Sequence, residues 1–211
     1  MTRNWKAFAM TLVAAFAISA LAAAAAQAEP EFHTEESSAT LRGEQVETNA
    51  FELEGGIMEC SSTTLTGTSS STTFTEFEVE ASYAGCEMLG LAAQIDMNGC
   101  VYRSRMVLFS NPPTTITDIL CKPKNEITFT IPSIGCVVHI PPQNGIKHVV
   151  WTNQGSGKNR DIKANITEEN ITYTETKGCI FPGTYSNGVY FGTETFKAFN
   201  GGGNQQGFWA Q

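Results

Sequence analysis

Six cysteines, three histidines, a row of alternating glutamates and a set of late aromatics are the residues of this 211-residue chain whose types could do chemistry. The cysteines are Cys60, Cys86, Cys100, Cys121, Cys136 and Cys179. No two of them form a C-x-x-C pair, so zinc-finger or zinc-ribbon chemistry is disfavoured and no metal site is assigned. An even number of cysteines behind an export-type N terminus instead fits three disulfides. Six cysteines allow many connectivities, and the preferred one joins nearest neighbours: Cys60–Cys86, Cys100–Cys121 and Cys136–Cys179. The middle pair has a geometric reason, because a hairpin turning near Asn111-Pro112-Pro113 sets residue 100 almost opposite residue 121.

The histidines complete no metal or protease pattern. His33 sits in a polar N-terminal stretch, and His139 and His148 flank Pro141-Pro142, across which they could approach each other. Glu76, Glu78 and Glu80 alternate along one run. Neighbouring carboxylates on one strand face stand ~7 Å apart, too far to share one calcium ion without a further loop. A solvated face that blocks edge-to-edge aggregation is the expected role, and a glycosidase acid pair is the catalytic alternative. No G-x-S-x-G elbow occurs, and Gly201-Gly202-Gly203 precedes no Lys-Ser helix start. No catalytic residue and no cofactor are therefore assigned. Trp151, Trp209, Phe208, Tyr185, Tyr190 and Phe191 cluster late in the chain. As exposed rings they could stack on sugars, with Trp151, Tyr185 and Tyr190 the candidate ligand residues; packing in a core is the competing role. Asn165-Ile-Thr and Asn170-Ile-Thr fit the N-glycosylation acceptor pattern and matter only for a eukaryotic source.

The elements that must position these residues are strands. Residues 1–28 come first and stand apart. Arg3 and Lys6, the apolar run Ala7 to Ala25 and the small-residue site Ala26-Gln27-Ala28 have the order of a secretory signal peptide; a retained membrane helix is the alternative. No later segment is apolar enough to span a bilayer. The net charge is −8, and removing Arg3 and Lys6 leaves −10. A chain this acidic repels nucleic acid. Residues 29–45 (EPEFHTEESSATLRGEQ) read as a flexible acidic lead-in, residues 46–199 as a single β domain, and residues 200–211 as a flexible Gly-rich tail.

Within the domain, apolar and polar residues alternate with period two. Phe77, Val79, Ala81 and Tyr83 oppose Glu76, Glu78, Glu80 and Ser82, which marks a strand with one buried face. Asn98-Gly99 is a strong hairpin turn signal. The stretch from Cys100 to Pro142 reads as two consecutive hairpins. Ile162 to Thr167 and Ile171 to Tyr173 read as another, turning at Glu168 to Asn170. No stretch outside the signal peptide carries a helical apolar stripe. Roughly a dozen short strands predict an all-β, disulfide-stapled β-sandwich, with a β-barrel as the alternative.

The alanine-rich leader, the Thr/Ser-rich strands, Met97-Asn98-Gly99-Cys100, the run CVVHIPPQ from Cys136 to Gln143 and Trp151-Thr152-Asn153 together resemble a group of small secreted proteins of actinobacterial type with no assigned activity. The resemblance runs from about residue 46 onward. Its motifs are turns and cysteines, so it implies export and carries no catalytic residue across. The expectation is a secreted or surface-associated structural or interaction protein, meeting an extracellular protein or glycan. A carbohydrate or small-ligand binding module and an extracellular hydrolase are the alternatives.

Overall fold

Period-two alternation builds almost the whole molecule. The computed structural model describes residues 29–108 and 110–211; the expected signal peptide lies outside the described residues. Fifteen strands follow in order: β1 (Phe32–Thr34), β2 (Thr40–Leu53), β3 (Gly56–Thr68), β4 (Thr73–Phe74), β5 (Glu76–Met88), β6 (Leu91–Asp96), β7 (Val101–Met106), β8 (Thr114–Leu120), β9 (Ile127–Ile131), β10 (Cys136–Ile140), β11 (Gln143–Gln154), β12 (Asp161–Glu175), β13 (Gly183–Phe199), β14 (Gln205–Gln206) and β15 (Phe208–Ala210). Among the described residues the sole helical piece is a 3-10 turn at Gly157–Asn159, and no helix is long and apolar enough to cross a membrane.

The expected β-sandwich is not what forms. Twelve strands make one antiparallel sheet in the order β14-β13-β2-β3-β5-β6-β9-β10-β12-β11-β8-β7, and two further pairings, β13–β12 and β5–β7, close it on itself. The result is a closed barrel with eight strands around it. A sandwich and a barrel share the same inward–outward alternation, so the pattern alone does not separate them; closure instead satisfies the edges that a sandwich leaves open.

Closure happens at two levels. The long strands β2, β3, β5, β12 and β13 run through both. At one level β6, β9 and β10 complete the ring; at the other β7, β8 and β11 do. β5 makes the division visible, since Cys86 to Met88 pair with β6 while Glu76 to Val79 pair with β7. The two hairpins of the Cys100–Pro142 stretch therefore lie at opposite levels of one barrel.

β12 also corrects the expected hairpin at Glu168 to Asn170. It is one continuous strand of 15 residues. Against β13, Glu168 pairs with Tyr190 and Ile171 with Gly188, so three steps on β12 face two on β13. This is a β-bulge, and Asn170 takes a positive φ of 64° within it. The extra residue shifts the parity. Ile162, Ala164 and Glu168 are buried before it, and Ile171, Tyr173 and Glu175 after it.

One end of the barrel is plugged. β1 pairs with both β15 and β4 in a separate three-stranded sheet. Its Phe32, Phe74 and Phe208 pack on Phe77, Trp151 and Phe196 of the barrel, with Phe32 4.9 Å from Phe77 and 5.2 Å from Trp151 between ring centroids. Residues 29–45 and 200–211, expected as a flexible lead-in and tail, thus carry β1, the start of β2, β14 and β15. Phe32 and Phe208 are fully buried. Each end is too polar to order alone, and each orders because it contributes one aromatic to a shared plug.

The cysteines pair as Cys60–Cys86, Cys100–Cys121 and Cys136–Cys179. Cys60 and Cys86 face each other across β3 and β5. Val101 opposite Leu120 sets up the second bridge. The third ties β10 to the loop between β12 and β13.

An ion cluster joins β7, β8 and β11. Asp118 accepts hydrogen bonds from Arg103 (2.9 Å), from Arg105 (2.8 and 3.0 Å) and from the Gly145 amide (2.9 Å). The Arg105 bonds, with those from Gly145 and Arg103, hold its carboxyl down at about 2, against the opposing effect of burial. Its stabilising contribution is therefore complete above the ordinary carboxylate range and lost as pH falls through about 2. Asp118→Asn is expected to cost about 2 kcal/mol at pH 7, the scale of charge-assisted hydrogen bonds; a denaturant midpoint unchanged from wild type would contradict this.

Candidate functional site

Two places inside the barrel collect polar chemistry, and both are set by inward parity. The first is a layer midway along the barrel. Tyr102 and Ile166 touch the cores of both levels, which places this layer between them. Tyr83 and Tyr102 meet hydroxyl to hydroxyl at 3.1 Å. Asn49 Nδ2 donates to Glu194 at 2.9 Å, and the Tyr190 hydroxyl donates to the same oxygen at 3.3 Å. The Asn49 side chain lies against Gly192, where any Cβ would collide with its Oδ1. Glu168 lines the same space beside Thr117, Trp151 and Val149. Burial pushes both Glu168 and Glu194 up to about 7, only partly opposed by hydrogen bonds from Thr117 and from Asn49 and Tyr190, respectively. The cavity they share offers ≈ 40 Å³ to water centres, room for roughly two or three waters. Among the described residues no group of three or more His, Cys, Asp or Glu converges to hold a metal.

The second place is the end opposite the plug. Four connections meet there: β2–β3 at Glu54-Gly55, β5–β6 at Leu89-Gly90, β9–β10 at 132–135 and β12–β13 at 176–182. Between them lies an apolar pocket of ≈ 180 Å³ lined by Gly55, Met88, Leu91, Ile131, Val138 and the Cys136–Cys179 bridge, with Leu89, Ile134 and Ile180 at its lip. Leu89 is 63 % exposed, Ile180 54 % and Ile134 43 %, and Phe181 beside them is 50 % exposed. A single polar side chain, Glu175, lines this pocket. It is 3 % exposed. Its Oε1 accepts the Gly55 amide at 3.2 Å, and its Oε2 has no hydrogen-bond partner among the described residues. Burial and the neighbouring Glu54 charge raise its pKa, opposed by the Gly55 and Phe181 amides. Gly55 leaves little room beside the carboxyl, since a Cβ there would stand 3.3 Å from Oε2 and 3.2 Å from the Met88 methyl, and these side chains would have to give by a few tenths of an ångström.

The mouth is braced by a pair of tyrosines, Tyr173 and Tyr185. The Tyr173 hydroxyl accepts the Glu54 amide at 2.6 Å and donates to Asn187 Oδ1 at 3.2 Å. Tyr185 stacks on Tyr173 at 5.4 Å and donates to the Phe181 carbonyl at 3.0 Å. It thereby holds the loop that carries Ile180.

The residues singled out from sequence are distributed differently than a surface platform requires. Trp151 is 2 % exposed and donates to Thr115 at 3.0 Å. Trp151 and Tyr190 both line the interior cavity, and Tyr185 stands apart at the mouth. Phe208 is in the plug. Trp209 is half-buried, stacked on His33 at 5.2 Å with Arg160 4.8 Å above its ring. His139 and His148 are not brought together as a pair: His139 bonds Glu126 at 2.6 Å, and His148 is exposed on β11. Glu76 and Glu78 lie on the outer face opposite Arg105 and Arg103, which gives them cross-strand charge partners. Asn165 and Asn170 are exposed.

Sequence reasoning missed Glu168, Glu175 and Glu194. A signal for them exists: each falls on the apolar parity of its strand, after Ile162-Ala164-Ile166, after Ile171-Tyr173 and before Phe196-Ala198. A carboxylate on the inward face of an alternating strand is a site candidate by position alone.

No family model, no curated protein and no solved structure matches this chain. The fold and its pockets are therefore the ground for a functional reading.

Proposed function

We propose that this is an exported small-ligand binding module whose binding site is the open mouth of the barrel. One observation carries the reading. The plug closes one end with buried aromatics, while the other end keeps an apolar pocket of ≈ 180 Å³ under a lip of exposed Leu89, Ile134 and Ile180. Exposed apolar residues gathered around a concavity mark a binding surface. Apolar cavities of ~150 Å³ hold a benzene-sized molecule, so the ligand class is a single ring or a short alkyl chain. The interior cavity, at ≈ 40 Å³, is too small for such a ligand. Export is supported by the leader-like N terminus and by three disulfides.

The test is a titration of the 15N-labelled protein with benzyl alcohol. Amide shifts are expected at Gly55, Met88 to Leu91, Ile134 to Cys136 and Glu175 to Ile180. Leu89→Ser combined with Ile180→Ser, both changes at exposed positions, is expected to weaken binding at least fivefold without unfolding the protein. Shifts that stay away from the mouth, or none at millimolar ligand, would sink the reading.

A further inference from the structure

We propose that the ligand of the mouth is a small primary amine, an apolar body of single-ring size whose ammonium donates to Glu175. This rests on the mouth being a ligand site, and it names the head group that site selects.

The argument starts from the one polar side chain in the pocket. A buried carboxyl is tolerated when its oxygens are hydrogen-bonded. Glu175 meets that requirement in part, through the Gly55 amide and the nearby Phe181 amide, and its Oε2, which lines the apolar pocket, has no partner within hydrogen-bond geometry. Among the described residues no Lys, Arg or His forms an ion pair with Glu175 or with neighbouring Glu54. Lys177, in the same loop, is exposed. Glu54 and Glu175 act on each other as like charges, and Glu54 finds only the neutral Asn187 amide, at 3.0 Å. The mouth is thus an apolar funnel with a carboxyl at its base that no cation among the described residues pairs with.

Ligand head groups are sorted by that base. An ammonium supplies the missing donor and the missing positive charge in one group. A hydroxyl supplies only the donor. A plain hydrocarbon leaves Oε2 unpaired, which a desolvated site penalises. A carboxylate meets repulsion from both glutamates. The rest of the lining offers nothing to a second polar group, so the body of the ligand must be apolar.

Four probes of one shape test this: benzylamine, benzyl alcohol, toluene and benzoate, each titrated into the full protein and followed at the Gly55 and Glu175 amides. Benzylamine is expected to bind at least tenfold more tightly than benzyl alcohol, with benzoate weakest. Glu175→Gln is expected to bring benzylamine within about twofold of benzyl alcohol. If benzyl alcohol and toluene bind at the mouth as well as benzylamine does, or if the amine preference survives Glu175→Gln, the head-group inference is overturned and the binding-module reading stands. If none of the four shifts a mouth amide, both are overturned. The wild-type series alone decides the preference, so an unstable variant leaves the test intact.

Discussion

Reducing the three disulfides is expected to lower the melting temperature by tens of degrees and to leave the chain largely unfolded near body temperature. The bridges close loops of 26, 21 and 43 residues. Each such loop restricts the unfolded chain by about 3–4 kcal/mol. Together they reach on the order of 10 kcal/mol, comparable with the whole stability of an ordinary domain. Position adds to this. Cys60–Cys86 links β3 to β5, two of the five strands shared by both levels of the barrel. Cys136–Cys179 anchors the loop that carries Ile180 and forms part of the pocket wall. Replacing that pair with alanines is therefore expected to abolish benzyl alcohol binding at the mouth even where the fold persists, whereas replacing Cys100 and Cys121 is expected to cost stability and spare binding. Calorimetry with and without reductant, with thiol counting in parallel, decides the first point; an unchanged melt with six titratable thiols would refute it.

The second large effect is that stability falls as pH rises from about 5 to 8. Glu168 and Glu194 are held near 7 in the fold, chiefly by burial, and titrate near 4.5 when unfolded. Between those values the unfolded chain has released its protons and the folded chain retains them, so each step up in pH favours unfolding. At ~1.4 kcal/mol per unit of displacement, each group costs about 3 kcal/mol by pH 8 relative to pH 4. The two face one cavity and repel when both are ionised, so they titrate as a pair. Asp161 and Glu175 are displaced in the same direction, chiefly by burial. Asp118 is displaced the other way, so its contribution is constant over this range and is lost only as pH falls toward about 2. Glu194→Gln keeps an acceptor for Asn49 and Tyr190 while removing the ionisation. Urea midpoints for wild type and this variant at pH 5 and pH 8 measure the effect. The variant is expected to lose about half the wild-type difference; an equal difference in both proteins would remove Glu194 as the cause.

Much of the local structure was legible in the residues themselves. Phe77 and Val79 are buried and Glu76, Glu78 and Glu80 are exposed, as their alternation required. The cross-strand position of Cys100 and Cys121 followed from the turn at Asn111 to Pro113. Alternation reports which face of a strand is buried, because side chains on a pleated backbone point to opposite sides in turn. It does not report what lies across the buried face.

Everything that depends on that second question was decided by tertiary structure. Barrel closure needs β13 against β2, which sets Phe191 opposite Ala50 and so joins segments far apart in the chain. The order of the two ends rests on Phe32 and Phe208 meeting in one plug, although each stands in a polar stretch that cannot order alone. At Glu168 to Asn170 the turn-like composition concealed a bulge, whose one added residue restores the inward parity of Ile171, Tyr173 and Glu175. Trp151 and Tyr190, open to a surface role by sequence, became cavity walls because the ring around them closed. The sequence by itself determined strands, faces and turns, since these depend on neighbours one to four residues away. Only the closed barrel determined what surrounds the inward-facing glutamates and which end is open, since both depend on strands that meet through space.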